Sequence, residues 1–144
     1  MNTDKQLNLD NQLCFALYST SLAMTQLYKK HLSPLDLTYP QYTVMLILWE
    51  KDGLSLKTIA DRLGQKSGSL TPVIKRMEAD NLIKRVRGSE DDRSLSIELT
   101  LKGHTLKEQG KHVNQCVAQT CGIAIDEITT LKEQLVKLRK NLLK

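Results

Sequence analysis

Ser55-Leu56-Lys57-Thr58-Ile59-Ala60-Asp61-Arg62-Leu63-Gly64, then Gln65-Lys66, then Ser67-Gly68-Ser69-Leu70-Thr71-Pro72-Val73-Ile74-Lys75-Arg76-Met77-Glu78-Ala79-Asp80, is the stretch that decides the fold. A serine hydroxyl accepts from the free N–H groups of a first helical turn, and glycine adopts the left-handed conformation that ends a helix. Ser55 and Gly64 therefore bracket a short helix, Leu56 to Leu63. Ser67 or Ser69 is expected to cap a second helix that carries Pro72 in its first turn and runs to about Asp80. Two helices separated by so few residues form a helix-turn-helix. Beyond Asp80 the apolar period changes. Leu82 to Arg87 and Leu95 to Leu99 read as strands, the second alternating strictly, with Leu95, Ile97 and Leu99 on one side. They are joined by the polar run Gly88-Ser89-Glu90-Asp91-Asp92-Arg93, a hairpin with a charged tip.

Outward from this centre the chain is helical. Thr38-Tyr39-Pro40-Gln41 has a threonine three residues before a glutamine and a proline at the start, a capping box opening a helix to Leu48 or Trp49 that Asp52-Gly53 stops. Apolar residues at spacings of three and four predict one long helix from Asn8 to Leu32. Thr100 caps a further helix to about Cys116, and Ile128, Leu131, Leu135, Leu138 and Leu142 make the seam of a last one. The expected fold is mainly α: a single domain, 1–144, with a winged helix-turn-helix at about 54–100. Flanking helices at about 8–32 and 101–144 are expected to form a homodimer.

Composition narrows the function. The chain of 144 residues carries 21 Lys and Arg against 16 Asp and Glu, a net +5 that suits a polyanionic partner. Five of its arginines, Arg62, Arg76, Arg85, Arg87 and Arg93, fall between residues 62 and 93. In a helix-turn-helix the second helix meets base edges and phosphates in the major groove. Here it offers Lys66, Ser67, Ser69, Thr71, Lys75 and Arg76, with Leu70, Val73, Ile74 and Met77 turned the other way. In the hairpin tip Asp91 and Asp92 precede Arg93, and Asp92 can hold that guanidinium extended toward a minor groove. The wing and the arginine cluster together favour binding to double-stranded DNA over a merely solvated surface.

The cysteines Cys14, Cys116 and Cys121 are odd in number, with no CxxC and no nearby histidine pairing, so neither a disulfide framework nor a metal site is expected. No cofactor motif is present. With its longest apolar run at Val44 to Trp49 and a polar start, the chain is expected to be cytoplasmic, without a membrane span. Cys14 borders the apolar stripe of its helix. An early-helix position favours thiolate, whereas Asp10 one turn earlier opposes it, so the residues alone leave a buried small hydrophobe and a reactive thiol both open.

The runs Leu9 to Ser19, Leu37 to Tyr42, Trp49-Glu50, Ser67 to Pro72, Lys75 to Glu78 and Asp91 to Ser94 closely resemble the MarR family of transcriptional regulators, in its organic hydroperoxide resistance branch. The match covers residues 8 to about 101 and is looser beyond. The resemblance implies a homodimeric repressor of a palindromic operator, released when an organic hydroperoxide oxidises Cys14 to a sulfenic acid. It also implies that Tyr28 and Tyr39 hydrogen-bond that thiol. In two-cysteine members the sulfenate forms an intersubunit disulfide with a C-terminal cysteine; Cys116 is the first choice here and Cys121 the second. Lys66 stands where an acidic residue is usual and Ser69 where threonine is common, so the preferred operator differs. The run Cys121 to Asp126 also departs from the pattern. Two other classes compete with this one. A thiol peroxidase is disfavoured because His31, His104 and His112 match no catalytic signature, so no enzyme is expected. A MarR-type repressor that answers to a small aromatic ligand, with incidental thiols, is the closer alternative.

Overall fold

The computed structural model of the chain describes residues 3–87 and 95–144. In order it has α1 (Thr3–Gln6), a 3-10 turn at Leu9–Asn11, α2 (Leu13–Leu32), a 3-10 turn at Ser33–Leu35 and α3 (Tyr39–Glu50). There follow β1 (Leu54–Ser55), α4 (Leu56–Leu63), α5 (Ser67–Ala79), β2 (Ile83–Arg87), β3 (Leu95–Leu99), α6 (Leu101–Thr105), α7 (Lys107–Thr120) and α8 (Ile125–Leu142).

The helix-turn-helix forms as its local chemistry dictates. Ser55 accepts from the N–H of Thr58 at 3.1 Å, and α4 closes on Gly64 at φ +67°. The next helix differs from expectation. Its N-cap is Lys66, without a side-chain cap bond, and Pro72 sits inside α5 and not in its first turn. Backbone bonds from Ser69 and Leu70 to the Lys66 carbonyl tie the turn instead, at 3.0 and 3.3 Å. Leu70, Ile74 and Met77 fasten α5 to the core.

The hairpin is antiparallel, Ile83 opposite Leu99 and Arg87 opposite Leu95. Sequence periodicity missed β1, which pairs on the far side of β3 and gives the order β1-β3-β2. Two residues are too short to show a period, and the partner Ile97 lies 43 positions from Leu54. Asp52 secures this corner: its Oδ1 accepts from Gly53 and from Leu99, at 3.0 and 2.8 Å.

The capping box at α3 is present, with Gln41 N–H donating to Thr38 Oγ1 and Thr38 N–H to Gln41 Oε1. The long first helix is shorter than its apolar spacing implies. Gln12 is extended at φ −90° and ψ 120°, so α2 starts at Leu13. Asn11 and Gln12 donate back to the carbonyls of Lys5 and Gln6, the competition with helical bonding that short polar side chains set up. The helix after Thr100 is also divided, at Leu106, and its second part runs past Cys116 to Thr120.

Leu32, Tyr42, Val44, Met45, Leu48, Ile59, Leu70, Ile74, Met77, Ile83, Ile97, Leu99, Val113 and Val117 share one core, joining the flanking helices to the winged unit. Tyr42 donates to the Gly110 carbonyl at 3.1 Å and Trp49 Nε1 to the Gly103 carbonyl at 2.9 Å, fixing α3 against α6 and α7. By contrast α8 has no fully buried residue: its seam leaves Leu131, Leu135 and Leu142 exposed, and α2 likewise leaves Leu13, Tyr18 and Leu22 exposed.

Candidate DNA interface and thiol centre

Of the residues expected to meet DNA, Lys66, Ser69, Lys75 and Arg76 are exposed. Ser67 and Thr71 are half-buried, contrary to a fully outward polar face. Thr71 Oγ1 donates to the Ser67 carbonyl at 2.9 Å, and Thr71 lines a small cavity with Leu56, Ile74, Arg85 and Ile97. The outward edge of α5 is therefore Gly68, Ser69, Pro72, Lys75, Arg76 and Ala79, one helical stripe displaced toward the N-terminal turn. Nothing lies within 4 Å of a side chain built at Gly68, so the helix N-terminus is open to an approaching phosphate. Asp91, Asp92 and Arg93 lie outside the described residues.

The arginine cluster is partly engaged. Arg62 pairs with Glu50 at 3.0 Å, Arg76 with Asp80 at 3.3 Å and Arg85 with Glu78 at 3.5 Å. The Arg76 pair is solvent-exposed, so it is weak enough for a phosphate to displace Asp80.

The thiols are all free, Cys14 exposed, Cys116 and Cys121 half-buried. Tyr28 and Tyr39 do come together: their ring centroids are 4.8 Å apart, and Tyr42 stands 5.8 Å from Tyr28. The 3-10 turn at Ser33–Leu35 and the left-handed Asp36 fold the chain back so that the start of α3 meets the end of α2. Burial pushes the Tyr28 phenol up to about 12, reinforced by Tyr39, Tyr42 and Cys121 nearby. Burial, then Tyr39, raises Tyr42 as well. Tyr28 thus remains a hydrogen-bond donor across the physiological range. Cys121, the C-cap that follows α7 and precedes Gly122 at φ +68°, is in electrostatic reach of Tyr28, which sequence spacing did not reveal. Cys116 Sγ lies 3.5 Å from His112 Nε2 on the same helix.

Cys14 is not part of this cluster within one chain. It lies 14 residues from Tyr28 on the unbroken α2, or about 21 Å along the axis. A disulfide needs Cα atoms closer than about 7 Å, so Cys14 cannot reach a cysteine beside its own Tyr28.

The raised pKa has a consequence in alkali. Because the fold holds the Tyr28 phenol neutral, the unfolded chain gives up that proton more easily. The stability involved is complete below about pH 10 and is lost as the pH rises toward 12. Urea midpoints measured between pH 8 and 11 are expected to fall less for Tyr28→Phe than for the unmodified chain; equal falls would contradict the buried phenol.

A helix-turn-helix whose second helix turns a polar edge outward beside an antiparallel hairpin defines a winged-helix DNA-binding regulator. A family model described as the transcriptional regulator SarA/Rot matches residues 26–109. The organic hydroperoxide resistance transcriptional regulator of Bacillus subtilis is 40% identical over 98% of this chain and 96% of its own. AbfR of Staphylococcus epidermidis, solved reduced and bound to DNA, is 35% identical, with a TM-score of 0.80 and 99% of each chain covered. Its disulfide-formed structure covers 99% of this chain and 97% of its own, at 33% identity and a TM-score of 0.69. Escherichia coli MarR in its apo form is 25% identical over 88% of this chain and 96% of its own, with a TM-score of 0.71. The chain belongs to the MarR family of transcriptional regulators, of the organic hydroperoxide resistance type.

Proposed function

We propose that this chain is a homodimeric repressor whose operator binding is switched off by oxidation of Cys14. The observation that carries the reading is the position of Cys14, exposed at the first turn of α2 and 14 residues along that helix from Tyr28 of its own chain. The sensor is then complete only when one protomer brings its Cys14 to Tyr28 and Tyr39 of the other. The uncovered seam of α8 and the apolar start of α2 supply the surface for that pairing. A Tyr28 phenol kept neutral donates to the thiolate and to the sulfenate that follows it.

The chemistry balances in two steps. The Cys14 thiol takes one oxygen from an organic hydroperoxide, giving a sulfenic acid and the corresponding alcohol. A second thiol then displaces hydroxide from that sulfur, forming a disulfide between protomers and releasing water. Cys116 is the first choice for the second thiol and Cys121 the second. The disulfide draws the N-terminal helices away from their reduced seating, and the two α5 helices no longer match half-sites about 34 Å apart on a palindrome. AbfR, solved reduced on DNA and also with a disulfide formed, supports a pair of such states, and its overoxidised form bound to DNA places the weight on the disulfide and not on oxidation alone. The exposed Lys66, Ser69, Lys75 and Arg76 carry the DNA contact, with the half-buried Ser67 and Thr71 at the margin of that face, and the sequence assigns Asp92 and Arg93 to it as well.

A non-reducing gel tests the scheme. Hydroperoxide treatment is expected to give a band at twice the chain mass that dithiothreitol removes and Cys116→Ser abolishes. A band lost in Cys121→Ser but kept in Cys116→Ser transfers the second role to Cys121. No band, together with unchanged DNA binding after treatment, overturns thiol sensing in favour of a repressor that answers to a small ligand.

A further inference from the structure

We infer that His112 is the proton acceptor that readies Cys116 for attack on the oxidised sensor, so that disulfide formation is assisted by a His–Cys pair built into α7. This rests on the sensor reading above. His112 Nε2 stands 3.5 Å from Cys116 Sγ, within range of a sulfur hydrogen bond. A spacing of four puts the two side chains on one helical face, and helix geometry holds them there without any other partner. His112 is exposed, on the rim of a cleft between α7 and the end of α2. The groups facing it there are Lys30 and His31 of α2 and Glu108 of α7, with Pro34, Leu35 and Val113 as the apolar wall. Glu108 is itself taken by Lys111 at 3.0 Å, which leaves the His112 ring to Cys116.

With Nε2 free of hydrogen, the imidazole accepts the proton of the Cys116 thiol. The sulfur's electron pair attacks the sulfenic sulfur of the partner subunit's Cys14, the S–S bond forms, and the S–O bond breaks. Hydroxide leaves and takes the proton back from His112 as water. One thiol and one sulfenic acid thus become a disulfide and water, and His112 returns to its starting state. Cys121 has no such imidazole at a spacing of four, since position 117 is Val117.

The test uses the full-length reduced protein, dosed with cumene hydroperoxide. Cys14 sulfenate is followed by dimedone labelling, and the disulfide by quenched non-reducing gels with peptide mapping. His112→Ala and His112→Gln are expected to bind DNA and form sulfenate at the unmodified rate, while the disulfide forms about tenfold more slowly. Added imidazole restores the rate in His112→Ala, where it can occupy the vacated space, and leaves His112→Gln slow. Unchanged disulfide rates in both variants, no rescue by imidazole, or a disulfide that maps to Cys121 overturn the assignment. Absence of sulfenate in the unmodified protein overturns the sensor reading itself, and is seen separately from any disulfide rate.

Discussion

Cys14→Ser is expected to hold operator DNA at hydroperoxide concentrations that empty the unmodified protein completely. The hydroxyl of serine is not oxidised by a hydroperoxide, so the first covalent step is missing and everything downstream of it with it. The substitution sits on the exposed first turn of α2, away from the core and from α5, and one sulfur becomes one oxygen. Reduced-state affinity in a mobility-shift titration is therefore expected to stay within about threefold, the range of a surface change. The two measurements together separate a lost sensor from a damaged fold. Release of Cys14→Ser by hydroperoxide at the usual dose would sink the thiol mechanism and leave the ligand-responsive alternative in its place.

The largest effect on stability is expected from Gly103→Ala in α6. A methyl group there falls onto the carbonyl oxygen of Leu82 and comes to 3.0 Å from Leu99 Cδ2. That carbonyl cannot swing aside, because it already accepts from the N–H and the hydroxyl of Thr100 at 3.1 and 3.2 Å. Nor can α6 retreat freely: Gly103 donates to Thr100 Oγ1 at 3.1 Å and its carbonyl takes the Trp49 indole at 2.9 Å. Overpacking against fixed backbone costs about 2 kcal/mol or more, about 6 °C in melting temperature for a chain of this size. Leu101→Ala, at a side chain 84% exposed two positions earlier, is the control and is expected to melt with the unmodified protein. Similar melting temperatures for all three would mean that α6 is not seated on β2 and β3 in this way.

The parts of the fold legible in sequence were those whose cause is local. Ser55 and Gly64 bracket α4 to the residue, and Thr38 with Gln41 builds its box, because caps depend on neighbours three or four positions away. Gln12 escaped notice because apolar spacing continues through it, while Asn11 and Gln12 reach back to backbone carbonyls that no period records. Ser67 and Thr71 are half-buried, whereas the apolar pattern of α5 places them on its open face. Their orientation is decided by the sheet on which Leu70 and Ile74 rest, which sequence does not place. Tyr28 and Tyr39 were singled out by resemblance, and only the turn through Asp36 accounts for their meeting. The approach of Cys121 to Tyr28 depends on how α7 lies against α2, a tertiary fact with no sequence signature. The expectation of no histidine pairing near the cysteines is overturned at Cys116: His112, four positions earlier, shares its helical face and stands 3.5 Å from its sulfur.

The bare seam of α8 makes abundance a variable of the response. With Leu131, Leu135 and Leu142 exposed and Ile128, Val136 and Leu138 only half-buried, much of the worth of α8 appears on association, and association obeys mass action. Every tenfold dilution takes about 1.4 kcal/mol from the paired state. Under the sensor scheme proposed above, scarcity and oxidation act on this joint in opposite ways: dilution separates the protomers, whereas the disulfide ties them together in a form that no longer fits the operator. A cell holding few copies stands nearer the point of release before any oxidant arrives, and copy number sets how small a chemical insult suffices.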